Sequence, residues 1–215
     1  MDYKNLKHIY FLGIGGIGMS ALARYFMHIG VSVSGYDRVS TQLTDKLQAE
    51  GMRIHFEDDP AKIPVNIDLA IITPAIAAEQ KELKYLKEIE ATVRKRAEVL
   101  EDLTRDHFTI AVAGTHGKTT ISSMIAHVLK EQNASLCAFV GGIMTNYDSN
   151  FLYTEDGHYM IVEADEFDRS FLKLQPDFAL ISAVDADHLD VYGDHDELKK
   201  AFRHLLTGSK RTASY

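Results

Sequence analysis

Seven residues from Gly114 to Thr120, with the sequence Gly-Thr-His-Gly-Lys-Thr-Thr, combine the chemical groups that bind a triphosphate. They follow a strand-like apolar run and precede the helix-like run 121–131. In such a loop, backbone N–H groups and the positive end of the helix hold the anion, while Lys118 neutralises the terminal phosphates and Thr119 reaches Mg²⁺. The sequence therefore predicts an ATP-binding loop made of Gly114, Thr115, His116, Gly117, Lys118, Thr119 and Thr120.

The loop is shorter than the full phosphate-binding pattern. That pattern has a glycine five positions before Gly117, where this chain has Val112. The alternative is an ordinary strand-to-helix turn that leaves Lys118 exposed. The glycines, the lysine and the paired hydroxyls all occupy positions that a triphosphate needs, and they favour the nucleotide site.

A second glycine-rich loop lies near the N-terminus, again between a strand-like and a helix-like run. Gly13, Gly15 and Gly18 satisfy Gly-x-Gly-x-x-Gly, Gly16 adds a fourth glycine, and Asp37 ends the next predicted strand. The pattern predicts a diphosphate at the start of the helix and a ribose at the aspartate. A dinucleotide or a UDP-sugar would serve equally well, and a tight turn that binds nothing is the remaining alternative.

The segment 73–76, Thr-Pro-Ala-Ile, follows the next buried strand-like run. It is therefore expected at the carboxyl edge of the sheet, where open α/β sheets bind ligands, and Thr73 is a further candidate contact. An ordinary proline turn would have the same sequence.

Two later predicted strands run directly into acidic segments. The run 159–162 leads into Glu163, and the run 178–184 leads into a segment that contains His188. The carboxyl ends of parallel strands meet at one edge, and Mg²⁺ needs few protein ligands besides phosphate oxygens and water. Thr119 and Glu163 could thus hold one Mg²⁺, and His188 a second metal or a phosphate. The alternatives are a solvated acidic face and a structural histidine.

Two series of alternating strands and helices must position these groups. The first occupies residues 1–105, and the second restarts at Phe108 and occupies 106–215. This alternation predicts an α/β fold with a Rossmann-like domain followed by an incomplete P-loop-type domain with a parallel sheet. Further predicted strands are 31–36, 67–73, 92–94, 109–113 and 136–140, and further predicted helices are 41–50, 79–88, 97–105 and 196–206.

Composition excludes several classes of function. The net charge is −8 in 215 residues and no lysine or arginine cluster is present, which argues against a nucleic-acid surface. Apolar stretches are too short for a membrane span, and the N-terminus has no secretory pattern. The single cysteine, Cys137, excludes an intrachain disulfide and fits a small core residue in a reducing compartment.

Taken together, the motifs resemble the Mur ligase family, the ATP-dependent amino-acid ligases of bacterial cell-wall synthesis. The first loop and the Thr-His pair after Gly114 are most similar to the alanine-adding branch, as is Arg96-Ala-Glu98. The matching segments occur in the family's order and are 13–20, 113–120, 163–168 and 187–190.

The resemblance implies a cytoplasmic enzyme of peptidoglycan precursor synthesis. It would use ATP and Mg²⁺ to join L-alanine to the carboxylate of UDP-N-acetylmuramate through an acyl phosphate. Lys118 would bridge phosphates, Thr119 and Glu163 would hold one Mg²⁺, and His188 would hold a second. The UDP-sugar would contact Gly13, Gly15, Gly16, Gly18, Asp37 and Thr73.

The resemblance also implies three domains, of which this chain would contain the first and about half of the second, without the C-terminal closing domain. We expect the chain alone to be inactive. Three alternatives remain: a recycling ligase that attaches a peptide to the same nucleotide sugar, a binding-only fragment, and a nucleotide-dependent oxidoreductase. The last would leave the Lys118 loop unexplained.

Overall fold

The computed structural model describes residues 1–154, 157–165, 170–185, 192 and 194–207. The chain divides into two compact units, Met1–Val99 and Leu100–Tyr215. The assignment of 1–105 and 106–215 to two functional domains remains a prediction. Among the described residues, none of the helices has the length and apolar character to cross a membrane.

The first unit is built on a five-stranded parallel sheet. Its strand order is β3-β2-β1-β4-β5. The strands are β1 (His8–Leu12), β2 (Ser32–Tyr36), β3 (Arg53–His55), β4 (Leu69–Ile72) and β5 (Val93–Lys95). The helices are α1 (Ile17–His28), α2 (Gln42–Ala49) and α3 (Lys81–Glu88), and α4 (Arg96–Asp106) begins at the end of the unit.

The central strand of this sheet explains where a ligand can bind. Residues Ile9 to Leu12 of β1 are completely buried, as expected for a parallel strand covered on both faces. Strand β1 pairs with β2 on one side and with β4 on the other, so the connections that leave the carboxyl ends of β1 and β4 run in opposite directions, toward β2 and β5. Such a reversal opens a crevice at the strand ends, which is the usual ligand site of open α/β sheets.

The second unit contains a mixed five-stranded sheet with the order β10-β6-β9-β7-β8. All neighbouring strands are parallel except β7 and β8, which are antiparallel. The strands are β6 (Phe108–Ala113), β7 (Leu136–Met144), β8 (Ser149–Tyr153), β9 (Tyr159–Glu163) and β10 (Phe178–Ile181). The helices are α5 (Lys118–Glu131) and α6 (His195–Thr207).

The predicted α/β class is confirmed, with corrections in both units. The parallel sheet predicted for the second unit is mixed, because β8, for which the sequence predicted no strand, returns along β7 after a four-residue connection. The short strand β3 was also missed. Strand β10 ends at Ile181 instead of residue 184, and helix α5 starts at Lys118 instead of residue 121.

Candidate functional site

The first glycine loop connects β1 to α1 and is tied to the end of β2. The backbone N–H of Gly15 donates a hydrogen bond to Oδ2 of Asp37 over 2.7 Å. A Cβ atom on residue 15 would lie 2.9 Å from the same oxygen. Because no side chain fits there, glycine lets the loop approach the carboxylate that closes this end of the crevice.

A cavity of about 480 Å³ lies at these strand ends within the first unit. Of the predicted contacts, Gly13, Gly15, Gly16, Asp37 and Thr73 line it. Ala75 and Ile76 belong to the segment 73–76 that was expected at this edge, and the rest of the wall, which the sequence did not indicate, consists of Tyr36, Arg38, Ala77 and Gln80. The loop after β4 thus supplies about half of the lining, and most of what it adds is apolar.

Gly18, the other predicted contact, does not line the cavity but lies in the first turn of α1 beneath an arginine. A Cβ atom on Gly18 would be 2.7 Å from Nη1 of Arg96. The guanidinium therefore lies against the start of the helix, close to the position where the helix dipole favours an anion. Arg96 belongs to the segment Arg96-Ala-Glu98 that resembles the family, but nothing in its local sequence indicated that its guanidinium lies against the start of α1.

The second glycine loop connects β6 to α5 and uses left-handed backbone at two glycines. Gly114 has φ +120° and Gly117 has φ +79°, and Gly117 directly precedes the first residue of α5. A Cβ atom on Gly114 would lie 2.9 Å from both the backbone N and O of Ala183. A residue with a side chain at 114 would therefore be strained and would push the loop away from the end of β10.

Hydrogen bonds hold this loop against the segment after β10. The N–H of Thr115 donates to the carbonyl of Ala183 over 3.0 Å, and the N–H of Asp185 donates to Oγ1 of Thr115 over 3.1 Å. The N–H of Ser182 donates to the carbonyl of Ala113 over 3.0 Å. The loop conformation is thus fixed by the neighbouring strand end as well as by its own sequence.

Two basic side chains lie on this loop. Nζ of Lys118 donates to the carbonyl of Gly114 over 2.8 Å, so the side chain folds back across the loop. The imidazole of His116 lies 3.5 Å from a carboxylate oxygen of Asp185, and both side chains are largely exposed. Lys118 is therefore positioned to neutralise an anion that the loop holds, whereas His116 lies at its exposed rim.

Glu163 lies at the end of β9, and β9 is paired with β6, so the carboxylate reaches the start of α5. Its Oε2 accepts from Oγ1 of Thr119 over 3.2 Å, and its Oε1 accepts from Oγ of Ser122 over 3.0 Å. The N–H of Gly141 also donates to Oε1 over 2.7 Å. The structure thus brings Thr119 and Glu163 together, with Ser122 and Gly141 holding the carboxylate in place.

A hydroxyl and a carboxylate that converge beside a phosphate-type loop fit a Mg²⁺ ion, which takes the remaining ligands from phosphate and water. Within the described ranges, no cluster of three or more His, Cys, Asp or Glu side chains could hold a metal by itself. His188, the predicted ligand of a second metal, lies outside the described residues. The strand before it, β10, flanks β6 on the side opposite to β9.

A second cavity of about 340 Å³ extends from the Thr119 end of the site along α5. Polar residues from the first turns of the helix meet the end of β7 there. Its lining is formed by Thr119, Thr120, Ser123, Met124, His127, Ile143, Met144, Thr145, Asn146 and Tyr147. The cavity provides room beside the threonine pair for a ligand larger than a metal ion.

Two family profiles match the chain in sequence. Residues 8–108 match the Mur ligase family, catalytic domain, and residues 112–214 match the Mur ligase middle domain. The chain belongs to the Mur ligase family. The two matches cover both glycine loops and Glu163 in the order that the sequence predicted.

Curated relatives share about half of their aligned residues with the chain. The UDP-N-acetylmuramate–L-alanine ligase of Flavobacterium johnsoniae is 51% identical over 206 residues, which cover 94% of this chain and 46% of the relative. The protein of the same name from Flavobacterium psychrophilum is 52% identical with the same two coverages. The chain therefore spans about half the length of the curated relatives it matches.

Solved structures give the same relationship. The UDP-N-acetylmuramate-alanine ligase of Thermotoga maritima has a TM-score of 0.86 at 32% identity, covering 95% of this chain and 48% of that one. The UDP-N-acetylmuramate:L-alanyl-gamma-D-glutamyl-meso-diaminopimelate ligase of Neisseria meningitides has a TM-score of 0.84 at 25% identity, covering 95% and 68%. Both support a Rossmann-like unit followed by a central-domain unit.

Proposed function

We propose that this chain is part of an ATP-dependent ligase that joins L-alanine to the carboxylate of UDP-N-acetylmuramate. The reaction would serve peptidoglycan precursor synthesis in the bacterial cytoplasm. The observation that carries the proposal is the 51–52% identity, over 94% of the chain, to ligases named for this reaction.

In this proposal the cavity of the first unit binds the UDP portion of the substrate. The start of α1 and the Arg96 guanidinium against Gly18 supply positive potential for the diphosphate. Asp37 is held by the N–H of Gly15 and would accept hydrogen bonds from ribose hydroxyls. A nicotinamide dinucleotide would satisfy the glycine loop equally well but would leave the second loop without a role.

The loop 114–120 would bind ATP. Lys118, folded over the loop, would neutralise terminal phosphate oxygens, and the backbone of the loop would fix their position. Thr119 and Glu163 would hold Mg²⁺, which when bound neutralises charge that develops on the phosphate oxygens. His188 and the second metal that it would hold belong to this proposal as well.

The chemistry follows from the low reactivity of a carboxylate toward amines. A muramyl carboxylate oxygen would accept the γ-phosphoryl group of ATP and release ADP. The amine nitrogen of L-alanine would then attack the carbonyl carbon, and phosphate would leave as the amide forms. The protein mainly positions the reactants and stabilises negative charge, and Lys118 supplies a fixed cation for this purpose.

The second candidate is a recycling ligase that attaches a peptide to the same nucleotide sugar, because the Neisseria structure of that name has a similar fold. Phosphate release by the full-length protein distinguishes the two. We expect release to require UDP-N-acetylmuramate, ATP and L-alanine together. Release that depends on the tripeptide L-alanyl-γ-D-glutamyl-meso-diaminopimelate and not on L-alanine would contradict the proposal.

A further inference from the structure

Gln80 forms part of the cavity wall in the first unit, at the far end of the loop after β4 from Thr73. It immediately precedes α3 and has extended backbone, with φ −58° and ψ 132°. Its backbone N–H donates to the carbonyl of Ala77, and its own carbonyl accepts from the N–H of Lys84. The main chain at this position is therefore satisfied, and only the side chain requires an explanation.

The side-chain amide of Gln80 is buried without a hydrogen-bond partner. Neither Oε1 nor Nε2 makes a hydrogen bond to any part of the chain that the structure describes. They are the only buried side-chain N or O atoms in that part for which this holds. Leaving two such atoms unpaired destabilises a folded protein. An amide at this position therefore points to a role in a ligand-bound state and not in the ligand-free structure.

The Gln80 side chain does not cap helix α3. Residues at the position of Gln80 often bond the first N–H groups of the helix, but here Asp58 does so. Its carboxylate accepts from the N–H of Lys81 and from the N–H of Glu82, each over 3.0 Å. The Gln80 side chain makes no capping hydrogen bond.

The rest of the cavity indicates which part of a nucleotide would reach Gln80. The glycine loop suits phosphates, and the Asp37 carboxylate suits ribose hydroxyls while repelling phosphates. The part of the wall that precedes Gln80 in the chain is formed by Ala75, Ile76 and Ala77. A flat base with apolar faces and one polar edge matches an apolar wall that carries a single carboxamide.

One edge of the carboxamide presents an N–H donor and the C=O acceptor side by side. The imide edge of uracil presents the complementary pair, an N3–H donor next to the O4 acceptor. Phosphate oxygens only accept and would leave Oε1 unpaired. The acetamido group of the sugar is a trans amide whose N–H and C=O point in opposite directions, so it cannot pair with both atoms at once.

We propose that Gln80 is a specificity residue that hydrogen-bonds the imide edge of the uracil base. On binding, the carboxamide turns from its buried position toward the cavity and exchanges two unpaired atoms for two hydrogen bonds. This inference rests on the proposed function, because it requires a uridine nucleotide in the cavity of the first unit.

The test is a ligand–protein double-mutant cycle with the 215-residue chain, read by calorimetric titration. Wild type and Gln80→Leu are each titrated with UDP and with UDP methylated at N3, which lacks the imide donor. We expect Gln80→Leu to bind UDP roughly ten- to hundredfold more weakly, and N3 methylation to weaken wild type by a similar factor. Methylation should change the affinity of Gln80→Leu by much less, because the hydrogen bond is already lost.

A second readout separates this role from a structural one. Leucine has a similar volume and no polar atoms, so Gln80→Leu should raise the melting temperature of the ligand-free chain while it weakens UDP binding. The matched control, Gln132→Leu at an exposed position after α5, should leave UDP binding unchanged. A structural glutamine would instead lower the melting temperature on replacement.

The outcomes distinguish a failure of the role proposed for Gln80 from a failure of the proposed function. If wild type binds UDP and Gln80→Leu binds it equally well, or if the loss appears only with UDP-N-acetylmuramate, the role of Gln80 is overturned and the proposed function stands. If wild type binds neither UDP nor UDP-N-acetylmuramate, the proposed function fails and the role of Gln80 fails with it.

Discussion

The proposed nucleotide chemistry depends on single residues. Among them, Lys118 contributes through both its position on the loop and its positive charge. Its Nζ lies 2.8 Å from the carbonyl oxygen of Gly114, so the ammonium group already covers the loop that would hold phosphate. An anion bound there gains a fixed positive charge without a large side-chain rearrangement.

Replacing this lysine should separate the two binding sites. In the full-length protein, we expect Lys118→Ala to reduce ligation by roughly a hundredfold or more, because it removes a cation from the transferring phosphoryl group. UDP-N-acetylmuramate affinity should be largely unchanged, because the site proposed for the sugar nucleotide lies in the first unit. Phosphate-release kinetics and calorimetry measure the two effects. Near-normal turnover in Lys118→Ala, with Lys200→Ala as the exposed control, would show that the loop has another role.

For Glu163, the prediction concerns the Mg²⁺ concentration that turnover requires. Its carboxylate already accepts hydrogen bonds from Thr119, Ser122 and the N–H of Gly141. Glu163→Gln preserves the size of the side chain but weakens a cation ligand, so the Mg²⁺ concentration for half-maximal turnover should rise roughly tenfold in the full-length protein. Glu131→Gln, at the exposed end of α5, is the control. Equal Mg²⁺ dependence in all three proteins would mean that Glu163 only organises the start of the helix.

The sequence indicated most of these residues because their types and spacing are unusual by themselves. Glu163 follows an apolar run, and Lys118 lies between a glycine and two threonines. Gln80 and Arg96 could not be found in this way. Their significance comes from the folded chain, in which one has a buried amide without a partner and the other has a guanidinium against Gly18.

At the scale of elements, β1, β3 and α3 are joined by a buried polar chain. The hydroxyl of Tyr10 contacts both Oε2 of Glu82 and Nε2 of His55, and Nδ1 of His55 faces the carbonyl of Glu57. The Tyr10 hydroxyl donates to the carboxylate of Glu82. Because burial disfavours the charged carboxylate, Glu82 keeps its proton to a higher pH than an exposed carboxyl group does.

Burial is the main reason that the pKa of Glu82 rises from 4.5 to about 7. Between these two values, the unfolded chain releases the proton first, so the free energy of unfolding should fall as pH rises from about 4.5 to about 7. Glu82→Gln carries no titrating group and should therefore gain stability relative to wild type at pH 8 compared with pH 5. Urea unfolding at both pH values measures this, with Glu88→Gln at the exposed end of α3 as control. An identical pH dependence in wild type and Glu82→Gln would contradict the raised pKa of Glu82.

Strand prediction succeeded where an apolar run has the length of a strand, as in β4 and β6, and failed where a strand can be recognised only from its pairing in the sheet. Strand β3 is three residues long and has a single apolar residue, Ile54, between Arg53 and His55, so its sequence gives too short an apolar pattern to predict a strand. Strand β8 forms because the chain turns back after a four-residue connection and pairs antiparallel with β7, which the alternation of strand and helix patterns did not indicate. Helix α5 begins earlier than expected because Gly117, with left-handed backbone, places Lys118 in the first turn.

The whole molecule combines two units that would bind different nucleotides, in about half the length of the relatives it matches. Ligation requires both nucleotides and an amino acid to be held away from water. We therefore expect the 215-residue chain to release no phosphate in the presence of UDP-N-acetylmuramate, ATP, Mg²⁺ and L-alanine, whereas the full-length protein does. Steady release that depends on both UDP-N-acetylmuramate and L-alanine would contradict this expectation.

The central claim is that the first glycine loop and its cavity bind a uridine diphosphate sugar. Calorimetric titration of the 215-residue chain with UDP-N-acetylmuramate, and separately with NADH, tests it most directly. We predict saturable binding of UDP-N-acetylmuramate and no heat of binding with NADH. Binding of NADH without any response to UDP-N-acetylmuramate would contradict the claim and would assign the loop to a dinucleotide.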